Sequence, residues 1–251
     1  MKIIFSPSKK QNTQILKPLS NTSTPIFQKK ASVLMKFLSS LSPDELQKVL
    51  SIPKNLVDKN YALYQKIFLK KEKIPALLLF SGSSFQKLSL EKYTKENLEY
   101  AQENILILSA VYGVLRPLDV VQPHRLDMNN RLPKLDRGRS LYYFWSKHLD
   151  TIFTKDEVIL NLASNEYSKM ISEKVSVNML DIDFLVFSND ILKRTSSVVA
   201  KQQRGRMLDY CISKNIQRLD ALKLYSKDNF VFEPKMSSER KYTFIKKYDN
   251  P

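Results

Sequence analysis

The chain has 251 residues, 43% of them hydrophobic, which is enough for one large domain or two small ones with a sizeable core. Its apolar runs fall well short of the roughly 20 residues that a membrane-spanning helix needs, and the opening MKIIFSPSKK lacks the pattern of a signal peptide. The single cysteine excludes an intramolecular disulfide framework. We therefore expect a protein of the reducing cytoplasm with no membrane association.

The formal net charge is +16, from 41 basic and 25 acidic side chains, and it is unevenly distributed. Residues 1–80 carry 14 Lys and Arg against 4 Asp and Glu, residues 81–190 carry 13 against 15, and residues 191–251 carry 14 against 6. A positive surface built by both ends of the chain would attract a polyanion, of which nucleic acid is the commonest. A lysine-rich surface that serves solubility alone is the alternative, and charge does not decide between them.

The first third of the sequence predicts one strand followed by helices. Residues 2–5, a lysine followed by three apolar residues, form a short strand, and a polar loop follows it. Helical periodicity covers residues 27–38. A second helix begins after Ser42, a favourable N-cap because a proline and two acidic residues follow it, and a third covers residues 56–68.

The middle of the sequence predicts strands between helices. Residues 75–80, PALLLF, read as a buried strand that ends in the turn SGSS. A helix over 94–105, capped by Thr94, leads into a strand over 106–109. A further helix is predicted over 140–153.

The C-terminal part predicts a long helix between apolar strands. Its predicted elements are strands over 158–163, 183–187, 230–233 and 243–247 and a helix over 195–215. Strands and helices mix without strict alternation, and no repeat or low-complexity linker is present, so we predict one α/β domain with a mixed sheet over residues 1–251. A small helical lobe, about 26–72, is inserted after the first strand.

Metal, redox and cofactor chemistry have little support in the sequence. The two histidines lie 24 residues apart and form no ligand cluster with the one cysteine, and neither a G-x-G-x-x-G motif nor a P-loop is present. Cys211 shares a helix face with apolar residues, which favours an inert core thiol over a redox sensor. We therefore predict neither a cofactor nor a metal.

The predicted helix over 195–215 has a basic residue in the middle of its apolar side. At about 100° per residue, that side carries Ala200, Arg204, Met207, Leu208, Cys211 and Ile212. Lys201 lies at its edge, and Gly205 allows the close approach of another backbone or a ligand. An arginine among core positions needs a partner, either a carboxylate of the fold or an anion that enters a cleft.

The stretch LSAVYGVLRPLDVVQPHRLDM, residues 108–128, places ionisable side chains directly after an apolar strand. Pro117 and Pro123 keep the residues before them out of helical geometry, so the segment is stiff. Its ionisable residues are Arg116, Asp119, His124, Arg125 and Asp127. A rigid segment with opposite charges suits a site preorganised for phosphate or base edges, and it equally suits a surface loop held by two Arg–Asp pairs.

A further candidate follows the predicted strand over 158–163, where Ser164, Asn165 and Glu166 open a helix with Ser164 as its N-cap. Free backbone N–H groups at a helix start favour anions. Glu166 either complements that helix end by itself or takes part in a site, and the sequence leaves both readings open.

Five segments of the chain resemble the YaaA family of bacterial peroxide-stress proteins and occur in that family's order. They are SPSK at 6–9, the stretch at 108–128, GRSLYYFW at 138–145, NLASNEY at 161–167 and AKQQRG at 200–205. The resemblance spans nearly the whole chain, and YGVLRPLD followed by QP, RL and M is highly specific.

The resemblance implies a cytoplasmic protein with a single α/β domain of unusual fold. Members of the family bind duplex or locally opened DNA through a positively charged cleft and a helix–hairpin–helix element. They protect cells from hydrogen peroxide by limiting intracellular free iron and the DNA damage that iron promotes. No enzymatic reaction is firmly attached to the family's motifs.

The helix–hairpin–helix element should correspond to residues 44–68, where backbone N–H groups would contact phosphates without reading sequence. The glycines typical of such hairpins are missing, and the turn region consists of Pro53, Lys54, Asn55, Asp58 and Lys59. A second departure is FSGSSFQ at 80–86, where the family pattern resembles F-K-G-D-V-Y.

The leading hypothesis is a DNA-binding protein of the peroxide stress response without strong sequence specificity, with DNA as its partner and no obligate protein partner. The predicted DNA-binding residues are Lys9, Lys54, Lys59, Arg116, Arg125, Lys201 and Arg204. Those predicted to line the cleft are Lys9, Arg116, Arg125 and Arg204.

The alternative hypothesis is an enzyme that acts on a nucleotide or on damaged nucleic acid. Its predicted catalytic residues are Asp119, Asp127 and Glu166, because carboxylates beside arginines are what acid–base or metal-assisted phosphate chemistry needs. Plain phosphate binding does not need them, and this is the argument for the alternative.

Overall fold

The structure, a computed structural model, describes residues 1–14, 19, 21–69, 74–133, 135, 138–188 and 191–247. Its strands are β1 Lys2–Phe5, β2 Ile74–Pro75, β3 Ile105–Ser109, β4 Gly113–Leu115, β5 Val120–Val121, β6 Ile159–Leu162, β7 Met179–Ser188, β8 Ile191–Arg194, β9 Val231–Phe232 and β10 Lys241–Lys247. Its α-helices are α1 Gln28–Ser39, α2 Pro43–Leu50, α3 Val57–Gln65, α4 Ala76–Leu79, α5 Lys95–Asn104, α6 Leu141–Leu149, α7 Asn165–Ser168, α8 Glu173–Ser176 and α9 Ser197–Ser213. Within these ranges, no helix has the length and apolar character needed to cross a membrane.

One mixed sheet lies at the centre of the molecule, with the strand order β4-β3-β1-β6-β7-β10-β9. Its inner strands are parallel, whereas β4, β9 and the additional strand β8, which pairs with β7, are antiparallel to their neighbours. Successive residues Ile3, Ile4 and Phe5 of β1 are at most 1% exposed, so both faces of this strand are covered. The predicted α/β class with a mixed sheet is confirmed.

The strand order reverses at β1, because β3 lies on one side of β1 and the later strand β6 lies on the other. One side of β1 pairs with β3, where Ile3 lies opposite Ile105, and the other side pairs with β6, where Ile3 lies opposite Leu160. In open parallel sheets, ligands bind at such a switch point, in the crevice beyond the carboxyl ends of the strands. The loops that follow β1, β3 and β6 are therefore the natural place for a binding site.

Helices α1 to α3 form a helical lobe before the second strand. As predicted, Ser42 caps α2, because its hydroxyl accepts from the Glu45 amide while the Glu45 carboxylate accepts from the Ser42 amide. Helix α2 ends at Ser51, whose φ of 51° lies in the left-handed region that a hairpin glycine would occupy. Helix α3 ends at Gln65, short of the predicted residue 68, and the predicted limit of the lobe at 72 lies outside the described residues.

The prediction of a buried strand over residues 75–80 is wrong. Strand β2 contains only Ile74 and Pro75 and pairs with β5, the next four residues form the short helix α4, and Phe80 makes an isolated bridge to Gln11. The apolar run ALLL contains no β-branched residue, and alanine and leucine are among the best helix formers. Burial alone does not distinguish a buried strand from a buried helical turn, which is why the run was ambiguous.

The apolar run that contains β3 holds a second strand, which the sequence did not reveal. The chain reverses after Ser109 and returns as β4, with Gly113 opposite Ser109. Gly113 has a φ of 71°, and a Cβ atom there would lie 2.7 Å from the ring of Trp145. The strands β5 and β8 were also not predicted, whereas the helices expected at 94–105, 140–153 and 195–215 are present as α5, α6 and α9.

Candidate functional site

A cleft of about 290 Å³ lies at the switch point of the sheet. Its floor is formed by the carboxyl ends of three parallel strands, with Phe5 and Ser6 from β1, Ser109 and Ala110 from β3, and Leu162 and Ser164 from β6. The remaining lining comes from the segment after β1, Phe80 and the SGSS turn, residues 124–127, Glu166 and Tyr167 of α7, and helix α9. Segments distant in sequence therefore meet in one place.

Two serines fix the floor of this cleft. The Ser6 hydroxyl accepts a hydrogen bond from the Ser164 amide at 2.7 Å and donates to the Ser164 hydroxyl at 3.2 Å. The predicted capping role of Ser164 is absent, because its side chain makes no cap hydrogen bond to α7, which is only four residues long. The SPSK and NLASNEY segments are thus joined directly.

Two glycines allow the walls of the cleft to approach each other. A Cβ atom at Gly82 would lie 2.2 Å from the Ser8 hydroxyl, and one at Gly205 would lie 2.1 Å from the Ser84 carbonyl oxygen. The Ser84 backbone cannot move aside, so position 205 requires glycine, whereas the Ser8 hydroxyl beside Gly82 could rotate away from a small side chain. The close approach predicted for Gly205 is a contact between α9 and the SGSS turn.

Five basic residues line the cleft: Lys9, Lys10, Arg125, Lys201 and Arg204. Lys9 forms an ion pair with Asp127, with 2.7 Å between the Nζ and Oδ2 atoms. The other four side chains have no ion pair within 4 Å among the described residues. The cleft therefore presents uncompensated positive charge.

Arg204 lies half-buried on α9 and faces the cleft rather than the core. Burial lowers the pKa of its guanidinium, and the charges of Asp183 and Asp181 oppose that shift. Arginine remains protonated near neutral pH despite such shifts. The side chain thus lines the cleft while its charge also interacts with two carboxylates of the fold.

Arg125 is positioned through its backbone. The Tyr64 hydroxyl donates to the Arg125 carbonyl oxygen and accepts from the Arg125 amide at 3.1 Å, and burial raises the pKa of that phenol. The Arg125 side chain is free of hydrogen bonds to the described residues, and its Nε atom is buried without a partner. This guanidinium is therefore both desolvated and available.

His124 holds the neighbouring segment by hydrogen bonds. Its amide donates to the Gln11 side chain at 3.0 Å, and the Gln11 amide group donates to the His124 carbonyl at 2.8 Å. The ring Nδ1 lies 2.8 Å from the Gln122 carbonyl oxygen, and burial lowers the pKa of the ring to about 4. The histidine is therefore neutral near pH 7 and serves as a structural link.

Two carboxylates also line the cleft, Asp127 and Glu166. Asp127 pairs with Lys9, but the Oε1 atom of Glu166 is buried and has no hydrogen-bond partner in the described part of the chain. Burial raises the pKa of the adjacent Tyr167, and both carboxylates raise it further. The side chains of Asp127, Glu166 and Tyr167 thus lie close enough to interact electrostatically.

Arg116 and Asp119 do not line the cleft. The Asp119 carboxylate is fully buried and accepts from the Ser23 hydroxyl at 2.6 Å and from the Arg116 amide and guanidinium at 2.8 and 2.9 Å. This pair fixes the turn in the RPLD segment. Of the two Arg–Asp pairs considered for the stretch at 108–128, only this one forms, because Asp127 pairs with Lys9 instead of Arg125.

Lys54 and Lys59 also lie outside the cleft, exposed on the helical lobe. Lys54 opens the 3₁₀ turn between α2 and α3, and Lys59 lies in α3. The lobe contacts the cleft wall through Tyr64, so its basic surface and the cleft belong to connected elements.

Sequence reasoning missed Lys10 and the turn at Gly82 as parts of the cleft. Lys10 directly follows the SPSK motif, and Gly82 lies in the turn where the family pattern also has glycine, so both signals were present. Cys211 is fully buried, and burial raises the pKa of its thiol. In the described part of the chain, no three His, Cys, Asp or Glu side chains form a group that could hold a metal ion.

Comparison with known proteins assigns the chain to a family. The family model described as peroxide stress protein YaaA matches residues 1–236. The chain belongs to the YaaA family. The cleft-lining segments of this YaaA-family chain, from SPSK to AKQQRG, all fall within the matched residues.

Individual relatives match over almost their full length. UPF0246 proteins of Legionella pneumophila (strain Lens) and Fusobacterium nucleatum are each 34% identical to the chain, and each alignment covers 98% of the chain and 99% of the relative. A UPF0246 protein of Lactobacillus acidophilus is 34% identical over 99% of the chain and 98% of the relative. The predicted membership of the YaaA family is therefore confirmed.

Proposed function

We propose that this YaaA-family protein binds DNA through the cleft, as a peroxide-stress protein without strong sequence specificity. The observation that carries the proposal is the convergence of Lys10, Arg125, Lys201 and Arg204 on one cleft without ion-pair partners among the described residues. Free cations that neutralise phosphates supply the sequence-independent part of DNA binding.

The surroundings of these cations support the same proposal. Arg125 and Arg204 are half-buried on fixed elements, which reduces the entropy lost when they bind a phosphate. Lys54 and Lys59 extend the positive surface onto the helical lobe, where the α2–α3 pair would contact the backbone as a helix–hairpin–helix element does. Phosphate contacts of this kind position a protein without reading sequence.

We further propose that bound protein limits iron-dependent damage to DNA during peroxide stress. Family membership supports the stress role, and a protein that covers the phosphate backbone would keep iron, which binds to phosphates, away from the strand. Plasmid nicking by ferrous iron and hydrogen peroxide should decrease when the protein is added, and it should decrease less with a variant that binds DNA weakly. Equal nicking with and without saturating protein would contradict this step.

Fluorescence anisotropy with several short duplexes of unrelated sequence tests DNA binding. The affinities should agree within about a factor of three, and Arg204→Gln should weaken all of them by about tenfold, because a charge-assisted hydrogen bond contributes roughly 1.5–3 kcal/mol. Lys174→Gln, an exposed charge outside the cleft, is the control and should leave affinity within about twofold. Absence of binding, or equal effects of the two variants, would contradict the proposal.

One observation favours the second candidate, an enzyme that acts on a nucleotide or damaged nucleic acid. The Glu166 Oε1 atom is buried in the cleft with no hydrogen-bond partner from the described ranges, which suits a general acid or base, with Asp127 nearby. Asp119, fully buried at the base of its turn, would contribute only to the fold. Turnover of a damaged oligonucleotide that is lost in Glu166→Gln while binding persists would favour this candidate over plain binding.

A further inference from the structure

The cleft contains two unsatisfied groups of opposite charge. The Nε atom of Arg125 and the Oε1 atom of Glu166 are both buried, both residues line the cleft, and neither atom has a hydrogen-bond partner among the residues that the structure describes. The two side chains form no ion pair with each other. A buried donor or acceptor without a partner is costly, so such groups call for an explanation, most directly a ligand.

A bare phosphate would satisfy only one of the two groups. Phosphate oxygens accept hydrogen bonds from Arg125 and Arg204, but a carboxylate accepts hydrogen bonds and repels a second anion. The partner of Glu166 must therefore be an N–H or O–H donor. A ligand that satisfies both groups carries an anionic part and a donor part a short distance apart.

The size and walls of the cleft limit what that ligand can be. A volume of about 290 Å³ matches the lower end of small-molecule pockets, so a base-paired duplex would lie across the mouth of the cleft, whereas a single nucleotide could enter it. Phe5, Phe80, Leu162 and Tyr167 give it an apolar side against which a ring can pack. Its position at the carboxyl ends of β1, β3 and β6 is the usual place for a nucleotide in parallel sheets.

We propose that the cleft takes a single unstacked nucleotide, with its phosphate on Arg125 and Arg204 and an N–H of its base donating to Glu166. This inference rests on the proposed function only for the source of the nucleotide, which is either an extrahelical residue of a DNA strand or a free mononucleotide. A paired base uses its donors within the duplex, so a base outside the stack presents them to the carboxylate.

The test compares three labelled duplexes in anisotropy: a perfect duplex, one with a single bulged deoxyadenosine, and one with a bulged abasic residue at the same place. The bulged deoxyadenosine should bind at least about tenfold more tightly than the other two, as expected for one stacked and hydrogen-bonded base. Free deoxyadenosine monophosphate should compete for the bulge at lower concentration than inorganic phosphate does.

Glu166→Gln tests the donor contact and should reduce the preference for the bulged deoxyadenosine over the abasic bulge by about fivefold or more. Glu173→Gln makes the same chemical change on an exposed residue outside the cleft and should keep the full preference. The ratio of two affinities is the readout, so a general loss of folded protein would not mimic the result.

The outcomes separate this inference from DNA binding itself. Equal affinity for all three duplexes, with no competition by the mononucleotide, would overturn the nucleotide site and leave DNA binding intact. Binding of the mononucleotide without binding of any duplex would support the site and contradict the proposed function. Failure of every probe to bind would overturn both.

Discussion

The Tyr64 hydroxyl bonds to both backbone groups of Arg125, donating to its carbonyl oxygen and accepting from its amide at 3.1 Å. Tyr64 lies in α3 of the helical lobe, 61 residues before Arg125, which lines the cleft. The lobe therefore fixes the backbone of Arg125 through these two hydrogen bonds, neither of which involves the guanidinium group. This relationship connects the two basic parts of the surface that we assign to DNA binding.

Tyr64→Phe should destabilise the protein by about 1–3 kcal/mol, because it leaves the buried amide and carbonyl of Arg125 without their partner. It should also weaken duplex binding without changing its dependence on salt, since the arginine charge is retained. Chemical denaturation and anisotropy measure the two effects. Tyr61→Phe, on the same helix, is the control, because the Tyr61 hydroxyl has no hydrogen bond to the described residues. Equal stability of the two variants would contradict the role of Tyr64.

Gly205→Ala should destabilise the protein, although alanine is the better helix former by about 1 kcal/mol. The added Cβ would lie 2.1 Å from the Ser84 carbonyl oxygen, and that backbone cannot yield without moving the SGSS turn. We expect a net loss of about 1–3 kcal/mol, as for other overpacked sites. Thermal unfolding shows whether the variant is less or more stable than the unmodified protein. A higher Tm for the variant would contradict the close approach of α9 to the SGSS turn.

Asp119→Asn and Asp127→Asn should differ in their effects on stability and on duplex binding, although both remove one negative charge. Asp119 is fully buried and accepts hydrogen bonds from Arg116 and Ser23, so its substitution removes charge-assisted hydrogen bonds and should cost about 1.5–3 kcal/mol of stability. Asp127 pairs with the largely exposed Lys9, so its substitution should cost less than about 1 kcal/mol. It should also strengthen duplex binding, because Lys9 becomes free. Denaturation and anisotropy on both variants check this contrast, and similar stabilities would contradict it.

Stability should fall as the pH is lowered from 7 to 5, in part because of His124. Burial lowers the pKa of this ring to about 4, whereas the unfolded chain has the ordinary value near 6.5. As the pH falls, the unfolded state therefore binds the proton before the folded state does, and stability is lost. The expected contribution at pH 5 is about 2 kcal/mol. His124→Gln should remove this part of the pH dependence, and the control His148→Gln should retain it. Identical pH profiles for both variants would contradict the assignment.

Local signals in the sequence predicted the ends of several elements correctly. Ser42 and Thr94 both cap helices as expected, because the preference for these residues at an N-cap is a property of a few neighbouring residues. The hairpin from Ser109 to Gly113 was missed because these two residues are the only interruptions of a long apolar run, and such a weak turn signal does not distinguish a reversal from a continuing segment.

The site could be predicted only in part, for a reason that Arg116 and Arg125 illustrate. In sequence, both follow the same apolar strand and both have an aspartate close behind. In the fold, Arg116 is neutralised by Asp119 at 2.9 Å, while Lys9 takes the aspartate nearest to Arg125 and leaves that arginine free. Which aspartate pairs with which cation depends on the distant segments that meet in the fold. Periodicity and spacing carry no information on those long-range contacts.

The dependence of duplex affinity on salt tests the central claim most directly. Six phosphate contacts, from the four free cleft cations with Lys54 and Lys59, predict a loss of roughly a thousandfold between about 50 and 200 mM salt. Arg125→Gln should lower the slope of the logarithmic plot by about one, and Lys174→Gln should leave it unchanged. An affinity that stays flat across this range, or a slope that Arg125→Gln does not alter, would contradict binding of DNA in the cleft.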